Sequence, residues 1–344
     1  MLESFYYDNL TSQEKSAYGI IRAAISRSAK ECAVPCADVA SAKRVWQAVI
    51  LDCPDLINYP GILWGAPQPK NNTVKFVFDY SDVDENIYSV KLQSLVDLLN
   101  KKIKANDSEY AVCKKIYDEL ALYVEYDYAV LKKYSQLKCG NPPQSRLVEF
   151  MQKNSRAFSP YGVIVDKKGV CQGIAKTFKI LCSKFGVQCA CVLAETNDGN
   201  KNQHMLNVVE LDGVRAFVDV VNGLPAAGLP MVRYDSFAVT SRIVRKHYDL
   251  ETAFACDDES VSYFSRNGLR FKNLYELKRE LNAYTFSSSN GEVRVFYDGK
   301  DLTDRELQNL FAEIINGHCD EHHAMETVSV ADGVCNGLIT NNER

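Results

Sequence analysis

Apolar residues recur along residues 1–107 at the spacing of amphipathic helices, and one stretch alternates as strands do. Thr11 followed by Glu14 is a capping-box pattern at the start of the first helix. "PGILWGAPQPKNNTVKFVFDY" predicts two strands around a Pro/Asn turn. We expect an α/β accessory region. Its predicted helices are "LTSQEKSAYGIIRAAISRS", "ADVASAKRVWQAVILDC" and "DENIYSVKLQSLVDLLNKKIKA".

Residues 108–245 carry the pattern of a helix-then-sheet core. "SEYAVCKKIYDELALYVEYD" predicts a helix, and residues 141–170 predict mostly loop with one short helix. A further helix begins at Cys171 and ends before Gly186, which stands where a glycine C-cap is expected. "VQCACVLAE" is apolar on both faces, as a central strand is. We therefore predict an α+β core.

The end of this core predicts a β-hairpin with a defined register. "HMLNVVEL" and "VRAFVDVV" flank Asp212 and Gly213, a two-residue turn signal. With those two residues as the loop, His204 and Asp219 lie on one sheet face as diagonal neighbours, about 7–8 Å apart at the backbone. The expected pairs are Leu211 with Val214, Glu210 with Arg215, Leu206 with Asp219, and His204 with Val221.

Residues 246–344 predict a small C-terminal α/β appendage. Its pattern gives a helix in "LYELKRELNAY", a strand in "EVRVFYD", a helix in "DRELQNLFAEIING", and then a polar tail. In that tail, "GHCDEHH" offers His318, Cys319 and His322 as transition-metal ligands, although a solvated tail is the alternative.

Composition excludes some partners and favours one compartment. The chain has 344 residues, 46% of them hydrophobic, a net charge of −4 and a pI of about 5.8. We therefore expect no nucleic-acid partner. No apolar run reaches the ~18 residues of a membrane span, so no membrane association is expected. Twelve cysteines without a visible export signal predict reduced thiols in the cytoplasm, or at the cell surface if a leader has been removed. The oligomeric state is left open.

Cys171 is the candidate nucleophile. It follows a glycine loop and opens a helix, where the free N–H groups favour a thiolate. Gly169 and Gly173 are expected to leave room for a substrate. The alternative is a buried helix-start cysteine. By contrast Cys182, Cys189 and Cys191 occupy core positions and are expected to act as small apolar residues.

His204 is the candidate base, because it is the one histidine of five that falls in a predicted core strand. Asp219 is its diagonal neighbour and would orient the ring. The alternative is an ordinary strand histidine beside a surface aspartate. The joint placement of these two residues with Cys171 favours a Cys–His–Asp triad.

The segments that hold these residues resemble the transglutaminase-like superfamily in its bacterial form. The resemblance spans about residues 114–221 and rests on "YVEYDYAVLKKYS", "SPYGVIVDKKG", "GVCQGIAKTFKILCSKFGVQC" and "HMLNVVELDGVRAFVDV". It implies a papain-like core, with Cys171 as nucleophile on a central helix that packs on an antiparallel sheet carrying His204 and Asp219. The family often has tryptophan two residues after the histidine and another shortly after the aspartate; here Leu206 and Asn222 stand instead, which alters the pocket wall.

The oxyanion hole is less visible. The backbone N–H of Cys171 is one natural donor. Tyr161 in the preceding loop, or Gln172, is a candidate for the second, and a packed aromatic is the alternative for Tyr161. Cys32 and Cys36 have a metal-compatible spacing without a second pair, so loop cysteines are favoured there. No cofactor or metal ion is expected.

The predicted function is cysteine-dependent acyl transfer on a peptide or protein substrate, most simply hydrolysis of a peptide or amide bond. Cross-linking of proteins by amine transfer is the alternative within the same chemistry. A module that keeps the fold but only binds peptide or protein is the alternative from another class, and a regulatory role of the N-terminal region is a third.

Overall fold

A computed structural model of the chain describes residues 2–36, 38–61, 72–199, 201–226, 230–251, 254–283, 291–318 and 323–341. It is a mixed helix-and-sheet protein. The helices are α1 Phe5–Asp8, α2 Ser12–Ser26, α3 Val39–Asp52, α4 Glu85–Lys102, α5 Glu109–Tyr123, α6 Tyr128–Cys139, α7 Gln144–Lys153, α8 Cys171–Lys184, α9 Val220–Gly223, α10 Ser241–Val244, α11 Tyr263–Arg266, α12 Leu274–Ala283 and α13 Asp304–His318. The strands are β1 Glu31–Pro35, β2 Thr73–Val77, β3 Glu125–Tyr126, β4 Lys168–Gly169, β5 Gln188–Thr196, β6 Gln203–Leu211, β7 Val214–Val218, β8 Phe237–Val239, β9 Tyr248–Leu250, β10 Arg270–Phe271, β11 Gly291–Tyr297, β12 His323–Ala331 and β13 Val334–Asn341.

The N-terminal unit has its own hydrophobic core, built from α2, α3, β1 and β2. The predicted capping box is confirmed: Thr11 caps α2 and bonds reciprocally with Glu14. β2 pairs with β1, a strand that was not predicted from the sequence and that carries Cys32. Cys32 therefore lies in a strand rather than a loop. The other predicted strand partner falls in residues 62–71, outside the described residues.

The central unit is a five-stranded antiparallel sheet in the order β8-β7-β6-β5-β9, with α8 packed on β5 and β6. Buried residues of α4, α5 and α8 pack with residues of this sheet in one hydrophobic core. The fifth strand, β9, lies beyond residue 245, so the sheet continues past the predicted end of the core. Residues 141–170 are also more ordered than predicted, because α7 and short 3₁₀ and π turns fill them.

The β6–β7 hairpin has the predicted register as far as the strands extend. Glu210 pairs with Arg215 and Leu211 with Val214. Asp212 and Gly213 both have positive φ, 53° and 84°, as a type I′ turn requires. The predicted Leu206–Asp219 and His204–Val221 pairs are wrong, because β7 ends at Val218 and the chain turns into α9.

Gly169 and Gly173 serve packing rather than substrate access. A Cβ on Gly173 would lie 2.9 Å from the carbonyl oxygens of Ala157 and Ser159. A Cβ on Gly169 would lie 2.7 Å from a Val163 methyl. The chain before α8 fills the space that the glycines leave, so the expectation of room for a substrate was wrong. This close packing fixes where α8 begins.

The C-terminal unit packs α12 and α13 on a four-stranded sheet in the order β10-β11-β13-β12. The predicted helices and the strand β11 are confirmed. The prediction of a polar tail was wrong. β12 and β13 form a hairpin around Asp332 and Gly333, whose φ angles are 51° and 83°. Of the metal ligands predicted in the tail, Cys319 and His322 lie outside the described residues.

Lys179 joins the N-terminal unit to the central helix. Its buried ammonium donates to the backbone carbonyls of Glu3 at 3.0 Å and Leu51 at 2.9 Å, and lies 3.9 Å from an oxygen of Asp52. Gln172, next to Cys171, donates its side-chain amide to the carbonyl of Pro60 at 2.8 Å. The N-terminal unit is thus tied both to the middle of α8 and to its first turn.

Candidate active site

Cys171 is the first residue of α8. Val170 precedes it as the N-cap and offers no side-chain capping bond. The thiol is half-buried and lies beside His204 and Met205 at the start of β6, in one cleft with them. The helix N-terminus favours a negative sulfur.

His204 and Asp219 form a buried pair beside this thiol. The Asp219 Oδ2 oxygen accepts from His204 Nε2 at 2.8 Å. Because Nε2 donates to the carboxylate, Nδ1 is the ring nitrogen left for Cys171. Asp219 caps α9 and accepts from the Val221 N–H at 3.0 Å. The predicted hydrogen bond is therefore present, although Asp219 sits in a turn just beyond β7 rather than in the strand.

The thiol and the imidazole shift each other's titration. Burial alone would raise the pKa of the Cys171 thiol and lower the pKa of the His204 ring. The attraction and hydrogen bond between the two side chains outweigh burial, so the pKa of Cys171 is lowered. The pKa of His204 is raised, because the Asp219 carboxylate and the Cys171 sulfur both favour its charged form. These directions favour a thiolate–imidazolium pair.

Two aromatic residues near Cys171 and His204 were not predicted from the sequence to belong to the site. The ring of Tyr248, from β9, stacks on the ring of His204, with centroids 4.6 Å apart and planes 3° apart. Tyr126, from β3, lines the same cleft as Cys171. No local motif signals either contact, because each residue lies more than 40 positions from its partner in the chain. Only Tyr126 falls in a segment that the family resemblance includes.

An open cleft of about 80 Å³ lies in front of Cys171 and His204, and is called here the Cys171 cleft. Its remaining lining carries no charged side chain among the described residues. The polar members are Gln172 and Gln203. The apolar and aromatic members are Tyr126, Val130, Leu131, Tyr134, Met151, Phe158, Val170, Leu193 and Met205.

The other candidate site residues are dispersed. Tyr161 is buried, accepts from the Asp84 N–H at 3.3 Å and stacks near Tyr88, so it does not line the Cys171 cleft. Gln172 lines the cleft, but its amide nitrogen is bonded to Pro60. Leu206 lies outside the cleft as well. The packed-aromatic interpretation fits Tyr161, and no observed contact gives it an oxyanion role.

A larger cavity of about 350 Å³ lies behind the pair, between the central sheet and the C-terminal unit; we call it the back cavity. Leu206, Asp219 and Tyr248 line its core side, and Phe296 and Val334 line the opposite side. It reaches Asp219 but neither Cys171 nor His204. Leu206 therefore lines the back cavity and not the Cys171 cleft.

The three cysteines that were predicted to lie in the core are buried. Cys182, Cys189 and Cys191 are at most 1% exposed. Burial raises the pKa of Cys191 to about 12 and raises the pKa of Cys182 above its ordinary value. Within the described residues, no group of three or more His, Cys, Asp or Glu side chains is arranged to hold a metal ion. No described helix is both long and apolar enough to cross a membrane.

Comparison with known proteins finds similar solved structures. No protein-family model matches the chain, and no curated protein matches it. The solved structures found include a transglutaminase, at 13% identity and a TM-score of 0.33, covering 48% of this chain and 44% of that one. A candidate cysteine protease from Cytophaga hutchinsonii aligns at 14% identity and a TM-score of 0.27, covering 50% of this chain and 64% of that one.

A candidate protease from Parabacteroides distasonis aligns at 8% identity and a TM-score of 0.23, covering 83% of this chain and 63% of that one. The match spans less than two thirds of each of these three chains. Their descriptions agree with the resemblance to the transglutaminase-like superfamily. Because their TM-scores are below 0.5, these alignments do not indicate a reaction for this chain.

Proposed function

We propose that this protein is a transglutaminase-like cysteine acyl-transfer enzyme that hydrolyses peptide or amide bonds. One observation supports this most directly: a helix-start thiol shares a cleft with an imidazole that is hydrogen-bonded to a buried carboxylate. An activated nucleophile, a base and an orienting group are what covalent acyl transfer needs. The papain-like arrangement of α8 on the sheet is part of this proposal.

The reaction begins with attack of the Cys171 thiolate on the substrate carbonyl carbon, which forms a C–S bond and a tetrahedral oxyanion. The C–N bond then breaks, and the departing amine or ammonia takes its proton from the His204 imidazolium. Water attacks the resulting thioester and gives one proton to the now neutral His204. The C–S bond breaks, the acid leaves, and the thiolate–imidazolium pair is restored.

We expect the oxyanion to form beside the backbone N–H of Cys171, and Tyr126, which lines the same cleft, offers a side-chain hydroxyl as a second donor. Burial, followed by the charge on Cys171, raises the pKa of Tyr126, so its hydroxyl keeps its proton. A protonated hydroxyl can donate a hydrogen bond to an oxyanion. Tyr126 thus takes the place that the sequence suggested for Tyr161.

The uncharged lining of the Cys171 cleft favours an uncharged acyl side chain next to the scissile bond. A charged side chain entering this recess would lose water and find no opposite charge among the described lining residues. Water, as the acceptor, needs no binding site of its own, and this favours hydrolysis. A cross-linking enzyme would require an additional site for the acceptor amine.

The decisive experiment incubates the protein with a peptide-amide library and a labelled primary amine, and follows cleavage and amine incorporation together. Release of acid with little amine incorporation supports a hydrolase. Predominant amine incorporation identifies the cross-linking alternative. Full turnover in Cys171→Ala contradicts both. Cys139→Ala, which removes an exposed thiol, is the matched control and is expected to keep full activity.

A non-catalytic binding module is the alternative from another class. It predicts that library peptides bind without being cleaved and that Cys171→Ala binds them as the parent does. Detection of a thioester on Cys171 by intact-mass spectrometry after rapid acid quenching would exclude this alternative, since a binding module forms no covalent intermediate.

A further inference from the structure

We propose that Tyr248, together with Asn222, positions the His204–Asp219 pair by covering the face of the imidazole and holding the carboxylate from behind. This inference rests on the proposed function, because it assigns a role within the same site. Tyr248 touches neither the thiol nor the cleft, so it is a positioning residue rather than a catalytic one.

The ring contact is nearly parallel. The planes of the Tyr248 and His204 rings differ by 3° and their centroids are 4.6 Å apart, so the two rings are stacked. The negative face of a tyrosine ring attracts a cation held within about 6 Å. Tyr248 therefore favours the imidazolium form, which the thiolate pair requires, and it prevents the ring from turning about its side-chain bonds.

Asp219 is held by more than the histidine. Its Oδ2 oxygen accepts from His204 Nε2, from Asn222 Nδ2 at 3.2 Å and from the Tyr248 hydroxyl at 3.3 Å, while Oδ1 accepts from the Val221 N–H. Three of these four donors converge on Oδ2 and one on Oδ1, so the carboxylate is held through both of its oxygens. Asn222 is fixed in turn by a bond to Ser236 Oγ at 3.1 Å. The carboxylate can hardly rotate away from the imidazole.

Tyr248 reaches this position because β9 closes the sheet beside β5. Its backbone pairs with Thr196, while His204 pairs with Ala194 on the other side of β5. The family often places tryptophans near its histidine and aspartate, where this chain has Leu206 and Asn222. Tyr248, supplied from a later strand, provides an aromatic face that neither of those residues offers.

The same side chain separates two spaces. Tyr248 lines the back cavity and stacks on His204, which lines the Cys171 cleft. Burial, followed by the Asp219 charge, raises the pKa of the Tyr248 hydroxyl, so it remains a donor. The ring thus keeps water in the back cavity away from the imidazole face, where water would compete with the thiolate for the proton.

The experiment compares Tyr248→Leu, which removes the ring, with Tyr248→Phe, which removes only the hydroxyl bond to Asp219. Histidine ¹³C NMR titration, with the peak assigned by His204→Ala, reads the His204 pKa without requiring turnover. Leucine is expected to lower that pKa by about one unit or more, and to reduce kcat by about 10- to 100-fold with a smaller change in KM. Phenylalanine is expected to recover most of the pKa and to lose only about 3- to 10-fold in kcat.

Tyr234→Phe is the matched control. Tyr234 is also a stacked tyrosine whose hydroxyl donates to a carboxylate, Asp118, at 2.7 Å, but it lines neither cavity. It is expected to change neither the His204 titration nor the alkylation of Cys171 at pH 6. A folded Tyr248→Leu variant with an unchanged His204 pKa and unchanged Cys171 alkylation overturns the positioning role, even if the protein is an active enzyme. A lowered His204 pKa supports it, even if the proposed reaction is wrong.

Discussion

Two Asp–His pairs among the described residues have the same kind of hydrogen bond but differ in their burial and in the residues around them. His204 bonds Asp219 at 2.8 Å, and His247 bonds Asp332 at 2.7 Å. The first histidine side chain is 10% exposed and touches Cys171, whereas the second is 48% exposed and borders the back cavity, whose described lining contains no cysteine. An Asp–His bond alone is therefore an uninformative sign of chemistry.

The two cavities make the same point. The back cavity is more than four times as large as the Cys171 cleft, about 350 Å³ against about 80 Å³, and it holds more charged residues. Yet the smaller cleft alone contains the thiol and the base. Burial strengthens the interaction between charges in the small site, whereas solvent weakens it at the exposed pair. What distinguishes the proposed reactive site is a half-buried thiol beside a buried imidazole, not volume.

The largest expected effect separates the two pairs. Asp219→Asn is expected to lower kcat by about 1,000- to 10,000-fold, because an amide donates to Nε2 and stabilises the wrong tautomer of His204. Asp332→Asn, the matched change at the exposed pair, is expected to leave kcat within about twofold. Steady-state kinetics on both folded variants measures this, and equal losses would show that the distinction between the pairs is wrong.

Thiol reactivity is the next effect in size. An ordinary thiol is less than about 1% ionised at pH 6, whereas the lowered pKa of Cys171 and the raised pKa of His204 both favour the thiolate–imidazolium pair. Cys171 is expected to react with iodoacetamide at pH 6 about 10- to 100-fold faster than the exposed Cys139. The advantage should disappear as the pH falls through the lowered thiol pKa.

Peptide mapping after limited labelling measures that ratio. His204→Ala removes the cation that favours the thiolate, so this variant is expected to lose most of the advantage. Preferential labelling of another cysteine in the parent protein would instead support the interpretation of Cys171 as a structural helix-start residue.

A charge in the Cys171 cleft tests its apolar character. Leu131→Asp is expected to lower kcat/KM about tenfold for a substrate with an apolar acyl side chain, and to favour a lysine analogue relative to the parent. Leu131→Asn adds polarity without charge and should reproduce the loss but not the new preference. Leu122→Asp, at a surface position 62% exposed, is the control. An unchanged order of substrates in Leu131→Asp would exclude this recess as the acyl side-chain site.

The smallest effect belongs to the back cavity. Thr240 Oγ1 is buried there without a hydrogen-bond partner among the described residues. Thr240→Val removes that unpaired hydroxyl and is expected to raise the free energy of unfolding by about 1 kcal/mol, with turnover within about twofold. Thr177→Val, whose hydroxyl donates to Gly173 at 2.8 Å, should instead destabilise by a similar amount. Urea unfolding measures both, and a large loss of turnover in Thr240→Val would give the back cavity a role in the reaction.

Local signals in the sequence predicted local structure well. The Thr11 capping box, the Asp212–Gly213 turn and the Gly186 helix end are all present, because each depends on the conformational preferences of a few consecutive residues. The Asp332–Gly333 turn carries the same signal, but the polar residues before it led to the prediction of a tail. There the turn chemistry was a better guide than polarity.

The sequence by itself determined the thiol at a helix start, the register of the β6–β7 hairpin and the bond between His204 and Asp219, because the turn and the strand period relate those residues locally. The tertiary structure alone decided which residues surround them. Tyr248 reaches His204 through the pairing of β9 with β5, Tyr126 reaches Cys171 through β3, and Pro60 holds Gln172 from the N-terminal unit. These contacts join distant segments of the chain, and their geometry comes from the packing of whole elements, which no local pattern of residues encodes.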